Sequence, residues 1–409
     1  MVRAPRRSVT NWLRSVDDWL LHLAPPRVGP FREGAFGSRL HSERNAAWLG
    51  VSLGVTFTVC FVTGLLSHVI QYPPSWFLWP SRPAGLYRVT QGIHVATGIA
   101  SIPLLLAKLW TVYPRFWTWP PFRSVAHLLE RLSLFPLVGG SLFLLFSGVA
   151  SIARWSPWPF SFPAAHYAAA WITIGALVVH VGAKLGQTGR ALSSKSPELA
   201  AERSREVARE CLTRRGFLGS VAAATGAITL TTVGQTVRPL AFLGVLAPRD
   251  PRVGPQGFPV NHAADKAGVI EVAISPLYRL TVEGNVATPL SFTLRELRTL
   301  PQHQATLPIA CVDGWSASAT WRGVRVRDLL AMAGAPDGAE AEVVSLQPHG
   351  SAFASSILNR WHASDPDTLL ALELNREPLH IDHGFPVRLI GPNRPGVMQT
   401  KWVQRVVVQ

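Results

Sequence analysis

Cysteine is scarce: Cys60, Cys211 and Cys311 are spread over 409 residues and no two share a segment. A disulfide framework is therefore not expected. That leaves Cys311, alone in the C-terminal part, to be explained by its chemistry. Acidic residues are also few, 24 against 39 Lys and Arg, for a net charge of +15. This excess does not point to nucleic acid. The basic residues gather in the N-terminal arm and just before Arg214, beside apolar runs, without a patch of interleaved aromatics. A cleavable signal peptide is not expected either, since residues 1–45 carry neither a short apolar core nor a small-residue cleavage site. No internal repeat is present.

What the sequence has is apolar runs. Four, at about 46–70, 89–113, 132–153 and 164–186, have the length and near absence of charge that a spanning helix needs. A fifth covers 216–237. Lys and Arg number 8 in the arm, 2 in 71–88, 4 in 108–131, 1 in 154–165 and 8 in 184–215. Under the positive-inside rule this alternation places the N-terminus in the cytoplasm and everything after the fifth run outside. Trp76, Trp79, Trp117, Trp119, Trp155 and Trp158 fall in loops, where interfacial aromatics belong.

Polar residues within such runs are costly and are expected to be functional. His166 and His180 are 14 residues apart, about 40° short of four full turns, and so share one helix face about 21 Å apart along the axis. Two imidazoles on one face, one near each leaflet, suit two stacked haems. By depth, His94 matches His166 and His41 matches His180, with His68 a rival for the outer position. The segments RLHSERNAAW…VTGLL, RVTQGIHVATG and AHYAAAWITIGALVVH resemble the membrane cytochrome b family of the b561 and hydrogenase type, over about 38–186. The resemblance implies a four-helix bundle, two b-type haems held by His94 with His166 and by His41 with His180, and exchange of electrons with membrane quinone.

The junction reads ECLTRRGFLGSVAAATGAITLTTVGQTV from Glu210. Arg214 and Arg215 precede a weakly apolar run rich in Ala, Thr and Gly. TRRGFL resembles the twin-arginine export motif, a receptor-read address rather than an anchor. The export machinery is then a partner, and membrane lipid surrounds the helices.

Beyond a Pro- and Gly-rich stretch at 247–261, short alternating patterns mix with helix-like runs, which reads as α+β. Cys311 ends a short apolar run and opens a Gly-containing turn. His383, Arg388, Arg394 and Lys401 stand near Gly384, Gly391 and Gly396. Cations beside accessible backbone amides suit a phosphate-bearing ligand, and a soft thiolate suits a metal. The stretches YRLTVEGNVATPLSFTLREL, C-x-x-GW…W-x-GV-x-x-x-DLL, HG-x-P-x-R and KW resemble the molybdopterin-binding domain of the sulfite oxidase family. They are most like the bacterial branch with the periplasmic methionine-sulfoxide reductase. The resemblance covers 261–409 and implies Cys311 as the catalytic thiolate on molybdenum. It places Asn261, His383, Arg388, Gln399, Thr400 and Lys401 around the molybdenum–molybdopterin cofactor. The sequence departs from the family at Asn375-Arg376-Glu377-Pro378, where Gly is usual second, and at Cys311-Val312-Asp313, which lacks the following arginines of sulfite oxidases. The family's C-terminal dimerisation domain is not expected.

The expected architecture is an all-α four-helix membrane bundle with a fifth, export-signal helix, then an α+β domain of the sulfite oxidase type. Its parts are a cytoplasmic arm (1–45), the cytochrome b-like domain (46–190), a cytoplasmic loop (191–215), the fifth helix (216–237), a linker (238–260) and an extracytoplasmic molybdopterin domain (261–409). The expected function is oxygen-atom transfer on a small oxo substrate such as a sulfoxide or sulfite, in a bacterial cell membrane, with electrons passing to or from quinone. The alternative is a non-catalytic membrane sensor that keeps the domain fold.

Overall fold

The computed structural model describes residues 27–32, 35–120, 125–193 and 212–409. Residues 12–23, whose pattern suits a short amphipathic helix, Cys211 and most of the 191–215 loop lie outside the described residues. The contacts divide the chain into two compact units, Met1–Phe61 with Thr97–Thr229 and Val62–Ala96 with Leu230–Gln409. This division cuts across the block expected over 46–190, because residues 62–96 pack with the C-terminal domain.

Among the described residues five helices are long and apolar enough to cross a membrane. They are α1 (Glu43–Gln71), α2 (Leu86–Val112), α3 (Val125–Ile152), α4 (Phe162–Leu192) and α5 (Arg214–Thr232). The apolar runs of the sequence fall within a few residues of these bounds, except that α3 begins earlier, at Val125. After α5 the chain tightens into a 3-10 turn at Val233–Gln235 instead of staying α-helical to 237. Pro239, which cannot continue a helix, follows.

In the first unit the polar side chains of the helices bond back to their own backbone. Ser101 Oγ donates to Thr97 O at 2.7 Å and Thr173 Oγ1 to Ala169 O at 2.8 Å. Gly140 of α3 lets α4 approach, since a Cβ there would collide with Thr173 Oγ1. Lys108 donates its ammonium to Ala46 O at 2.6 Å, which satisfies the charge inside the helix pair. Helix α5 is capped by Thr213, whose Oγ1 accepts from Gly216 N at 3.1 Å. Its Phe217, Leu218 and Val221 pack on Leu49, Leu104 and Ala107 of α1 and α2.

The second unit is built on two five-stranded sheets. One orders β2 (Leu290–Thr293), β1 (Arg279–Gly284), β10 (Val403–Val408), β5 (Ala341–Ser345) and β6 (Ser355–Leu358), with β1 and β10 parallel and the other pairs antiparallel. The other orders β3 (His303–Ala310), β4 (Ser316–Arg325), β7 (Leu369–Leu374) and β8 (Glu377–Pro378), and β9 (Arg388–Ile390) also pairs with β7. Strand β5 alternates buried and half-buried positions, whereas β7 is buried nearly throughout and reads LLALEL, a near-continuous apolar run. Helices α6 (Leu294–Thr299), α7 (Val326–Met332) and α8 (Arg360–Ser364) close the core, α6 through a capping box between Thr293 and Glu296. An α+β domain therefore follows a helical N-terminal region, as the sequence indicated.

Residues 79–91 form a seat for this domain, and Asn393 is its centre. The Asn393 side chain accepts from Tyr87 N at 2.6 Å and donates to Pro80 O at 2.7 Å. Its backbone O accepts from Trp79 Nε1 at 2.8 Å and its N donates to Ala84 O at 3.0 Å. Arg82 grips Asp365 with two bonds of 2.9 Å, and Gln91 Nε2 donates to Val312 O at 3.2 Å. Asn393 is only 2% exposed. Asn393→Leu strands the buried Tyr87 N–H and Pro80 carbonyl, each worth about 1–3 kcal/mol. We expect unfolding of the purified protein to be easier by at least about 2 kcal/mol. A loss within about 0.5 kcal/mol, the range of an ordinary surface change, would show that the seat contributes nothing.

Candidate active site

Cys311 is the first residue after β3, in a turn that leads directly into β4. Cys311 N donates to Trp315 O at 2.8 Å and Gly314 N to Cys311 O at 3.1 Å. Gly314 takes φ +84, a left-handed conformation that glycine adopts without strain. The turn aims the sulfur at Asn261, whose Nδ2 lies 2.8 Å from Sγ and 2.8 Å from Asp313 Oδ2. Asn261 Oδ1 in turn accepts from Arg249 Nη1 at 2.7 Å and from Trp315 Nε1 at 3.2 Å. Burial pushes the Cys311 thiol well up, and the Asp313 charge adds to this, while the Asp313 N–H and Arg249 oppose it. A thiol in this setting stays protonated unless a cation at the sulfur holds the thiolate.

The second group of residues gathers at Gly384, whose φ is +111. A Cβ there would meet Arg388 Cβ and Lys401 Cβ, each at 3.1 Å. His383 is fully buried and Nε2 lies 2.8 Å from Pro255 O, which fixes the proton on Nε2 and leaves Nδ1 as an acceptor. Burial first, and then the charges of Arg388 and Lys401 against the opposing Pro255 bond, bring the His383 pKa down to about 3, so the ring is neutral. Arg388 donates Nη1 to His383 O at 3.1 Å and lies 5.2 Å over the Trp321 ring. Arg394 bonds Ile357 O, Ser356 Oγ and Met398 O. Both guanidinium groups are buried, and burial alone draws each pKa down to about 9. Among the described residues neither pairs with a carboxylate, and the Nε of each has no partner. A buried cation without a counter-charge is strongly unfavourable, so this site calls for an anion. Lys401 Nζ donates to His262 O at 2.8 Å and to Asp382 O at 2.6 Å.

The residues singled out from sequence divide by what they touch. Asn261 and Cys311 meet directly, and His383, Arg388 and Lys401 surround one glycine. Gln399 turns away from them. Its amide pairs both ways with the Gly391 backbone, at 2.8 Å each, and so holds the 391–399 loop. Thr400 bonds Ser356 Oγ at 2.7 Å inside the domain. The residues not foreseen are Arg249 and Phe258, both in the stretch expected to be a linker. Phe258 is 2% exposed and packs edge-on against Trp315, Trp321 and His383, at 5.9, 5.7 and 5.8 Å. It joins the thiol side of the site to the cationic side. An isolated Phe and Arg among Pro and Gly give no periodic signal by which to find them.

A molybdenum cofactor carried on a phosphorylated pterin fits this set. A buried thiol with an amide donor on its sulfur suits the metal. Two buried, uncompensated guanidinium groups suit the phosphate.

The histidines of the helices lie elsewhere. His41, in the 3-10 turn Arg39–His41 just before α1, is within 3.3 Å of Thr111 O through Nδ1 and lies tilted at 4.4 Å from Trp110. His94 Nδ1 lies 3.5 Å from Thr63 Oγ1, and His166 Nδ1 lies 2.8 Å from Ser147 Oγ. His180 is on α4 with His166, and His68 stacks on Tyr72 at 4.9 Å. Among the described residues no three His, Cys, Asp or Glu side chains form a metal-binding group.

Comparison with known proteins bears on the C-terminal part. Residues 267–409 match the family model described as oxidoreductase molybdopterin binding domain. Mitochondrial sulfite oxidase of Mus musculus is 34% identical over 158 residues, 32% of this chain and 29% of its own length. Nitrate reductase [NAD(P)H] of Hordeum vulgare is 33% identical over 190 residues, 39% of this chain and 21% of its own. The chain thus spans less than a third of these curated relatives. The solved sulfane dehydrogenase SoxCD of Paracoccus pantotrophus is 28% identical, covering 33% of this chain and 40% of that one, with a TM-score of 0.30. Over residues 267–409 the chain carries a molybdopterin-binding oxidoreductase domain of the sulfite oxidase family.

Proposed function

We propose that this chain is a membrane-bound molybdopterin-dependent oxidoreductase that exchanges one oxygen atom and two electrons with a small oxo substrate. One observation carries the reading: a buried thiol with an amide donor 2.8 Å from its sulfur, in a domain with two uncompensated buried arginines. In this assignment Cys311 holds the metal and Asn261 orients the sulfur. Arg388 and Lys401 would bind the pterin phosphate, His383 would offer Nδ1 as an acceptor to the ring, and Gln399 and Thr400 would hold the loop on that side. The cofactor supplies the two-electron oxygen-atom transfer. The relatives' names, sulfite oxidase and nitrate reductase, both point to small oxyanions. In the oxidising direction water provides the oxygen, and two protons and two electrons leave. A quinone that becomes a quinol is the matching acceptor.

The helices are read as the electron route and anchor, in a bacterial cell membrane. Large apolar side chains on them face outward, among them Phe135 at 72% and Val179 at 68% exposure, as lipid contact requires and water does not favour. We assign b-type haems to His94 with His166 and to His41 with His180. His41, His94 and His166 each engage Nδ1, the arrangement in which Nε2 turns to an iron. Gly64 keeps bulk off the His94 ring, where a Cβ would stand 2.8 Å from Cε1. The lysine and arginine distribution and TRRGFL support a cytoplasmic N-terminus and an exported domain.

The purified protein is expected to contain molybdenum in proportion to chain and a reducible b-type spectrum. His166→Leu is expected to remove about half of that absorbance while the molybdenum stays. A protein without haem iron would end the electron-transfer half of the proposal. A domain that binds a ligand without turnover, the sensor reading, would instead hold no molybdenum.

A further inference from the structure

The turn that carries Cys311 is touched by α2 on both sides of the cysteine. Gln91 Nε2 donates to Val312 O at 3.2 Å. Tyr87, one turn earlier on the helix, shares a buried apolar cluster with Ala310. Further along the turn Gly314 O accepts from Thr236 Oγ1, and Thr236 lies beside Gly92, where a Cβ would stand 3.4 Å from its Cγ2. Gln91 is 4% exposed, although glutamine belongs mostly at the surface. Val312 O can only accept, so the amide must turn Nε2 toward it, and Oε1 is left without a partner. A buried amide with half its bonding capacity unused is costly, and packing alone gives no reason for a glutamine here.

Gln91 and His94 are three residues apart on α2, so they lie on one side of it and about 4.5 Å apart along the axis. From Cys311 the path is short. It runs along one peptide to Val312 O, across a single hydrogen bond to Gln91, and through one turn of helix to His94. All of these residues belong to the second unit. Electrons tunnel better through bonds than across gaps, because the coupling falls steeply at each break. The other bonds from α2 to the domain lead away from the cysteine. They join Tyr87 N to Asn393 Oδ1 at 2.6 Å and Arg88 Nη1 to Ser318 Oγ at 3.3 Å. A longer route leaves Ala310 through the Tyr87 ring, whose hydroxyl lies 2.9 Å from Ser67 Oγ, next to His68.

We propose that Gln91 is the bridge by which electrons cross between the Cys311 turn and the haem assigned to His94. This role rests on the molybdopterin and haem readings given above, while Gln91 itself lies outside the matched family region. In the oxidising direction the substrate gains one oxygen from water and two protons leave. The two electrons released pass singly to ferric haem iron, and quinone, the final oxidant, takes both. Gln91 makes and breaks no bond in this. It is a positioning residue that holds Val312 O against the helix and closes the one gap in the path.

The test uses the full-length protein in detergent. Stopped-flow absorbance follows the haem as sulfite reduces it, or as dimethyl sulfoxide oxidises it after reduction. Turnover of the same substrate with a soluble dye is measured separately, and the ratio of the two rates is compared, so that a change in the molybdenum chemistry itself cancels. Gln91→Met keeps the length of the side chain but has no donor. It is expected to lower the ratio by about ten- to a hundredfold, the scale of losing a residue that supports a metal centre. Gln91→Leu is expected to act in the same direction. Molybdenum and haem contents, the haem midpoint potential and the molybdenum-to-haem separation, read by pulsed EPR, are expected to stay at wild-type values. Tyr87→Phe, which removes only the bond to Ser67, is expected to leave the ratio unchanged. An unchanged ratio in Gln91→Met, with both cofactors bound, would overturn the bridge and leave the functional reading standing. A ratio that falls in Tyr87→Phe instead would put the route through Ser67 toward His68 and overturn the bridge. A lower ratio with a longer separation would make Gln91 a prop of the seat and overturn it as well. Wild-type protein without molybdenum or haem iron, or a haem that responds to neither substrate, would overturn the functional reading and the bridge with it.

Discussion

Cys311→Ser is expected to reduce turnover by at least about a hundredfold, with the fold intact. Losing a residue that only supports a metal ligand costs about ten- to a hundredfold, and loss of the ligand itself should exceed that. Serine fills nearly the same space, so Asn261 Nδ2, which lies 2.8 Å from the sulfur, keeps an acceptor, and the turn held by the Cys311 N to Trp315 O bond is unaffected. An alkoxide is far harder to form than a thiolate and is a harder ligand. Packing therefore predicts little change, while coordination predicts a near-complete loss. Near-normal turnover in the serine variant, measured with a soluble dye so that the helices are not needed, would remove Cys311 from the chemistry.

The pair Arg214→Lys with Arg215→Lys is expected to leave almost all of the C-terminal domain on the cytoplasmic side. The first four helices should insert as before. Charge is preserved in this variant, so the positive-inside rule alone predicts no change. A receptor that reads guanidinium groups predicts failure. The helix itself should be unaffected, because Thr213 caps it and Phe217, Leu218 and Val221 pack it. Protease added to intact spheroplasts reads the outcome directly. Cleavage of the domain at the wild-type rate would reduce the two arginines to ordinary flanking charges. A domain that must take up a bulky cofactor is better folded before export than after, which would give the proposed address its physical reason.

Much of this molecule is legible in its sequence. The five helices announce themselves because their runs have the length and lack of charge that crossing a membrane requires, and both are written in composition. Cys311 stands out because a lone cysteine at a glycine turn has few other uses. What the sequence hides is held by backbone groups. The seat at 79–91 works through the carbonyls of Pro80 and Ala84 and the N–H of Tyr87, which almost any residue type supplies. Nothing in the sequence marks Asn393 as their common partner. The stretch 238–260 reads as a linker because Pro and Gly disfavour regular structure. That property also lets it lie irregularly against the site, with Phe258 between three rings and Arg249 on the Asn261 amide. Gln399 is marked only by its position in a motif, and its amide is committed to Gly391.

The central claim is tested most directly by the molybdenum content of purified wild-type protein and of Cys311→Ser, measured side by side with the protein concentration. Molybdenum in proportion to chain is predicted in the wild type, with a marked loss in the serine variant. Equal molybdenum in both, or none in the wild type, would contradict the assignment of Cys311 as the metal's thiolate.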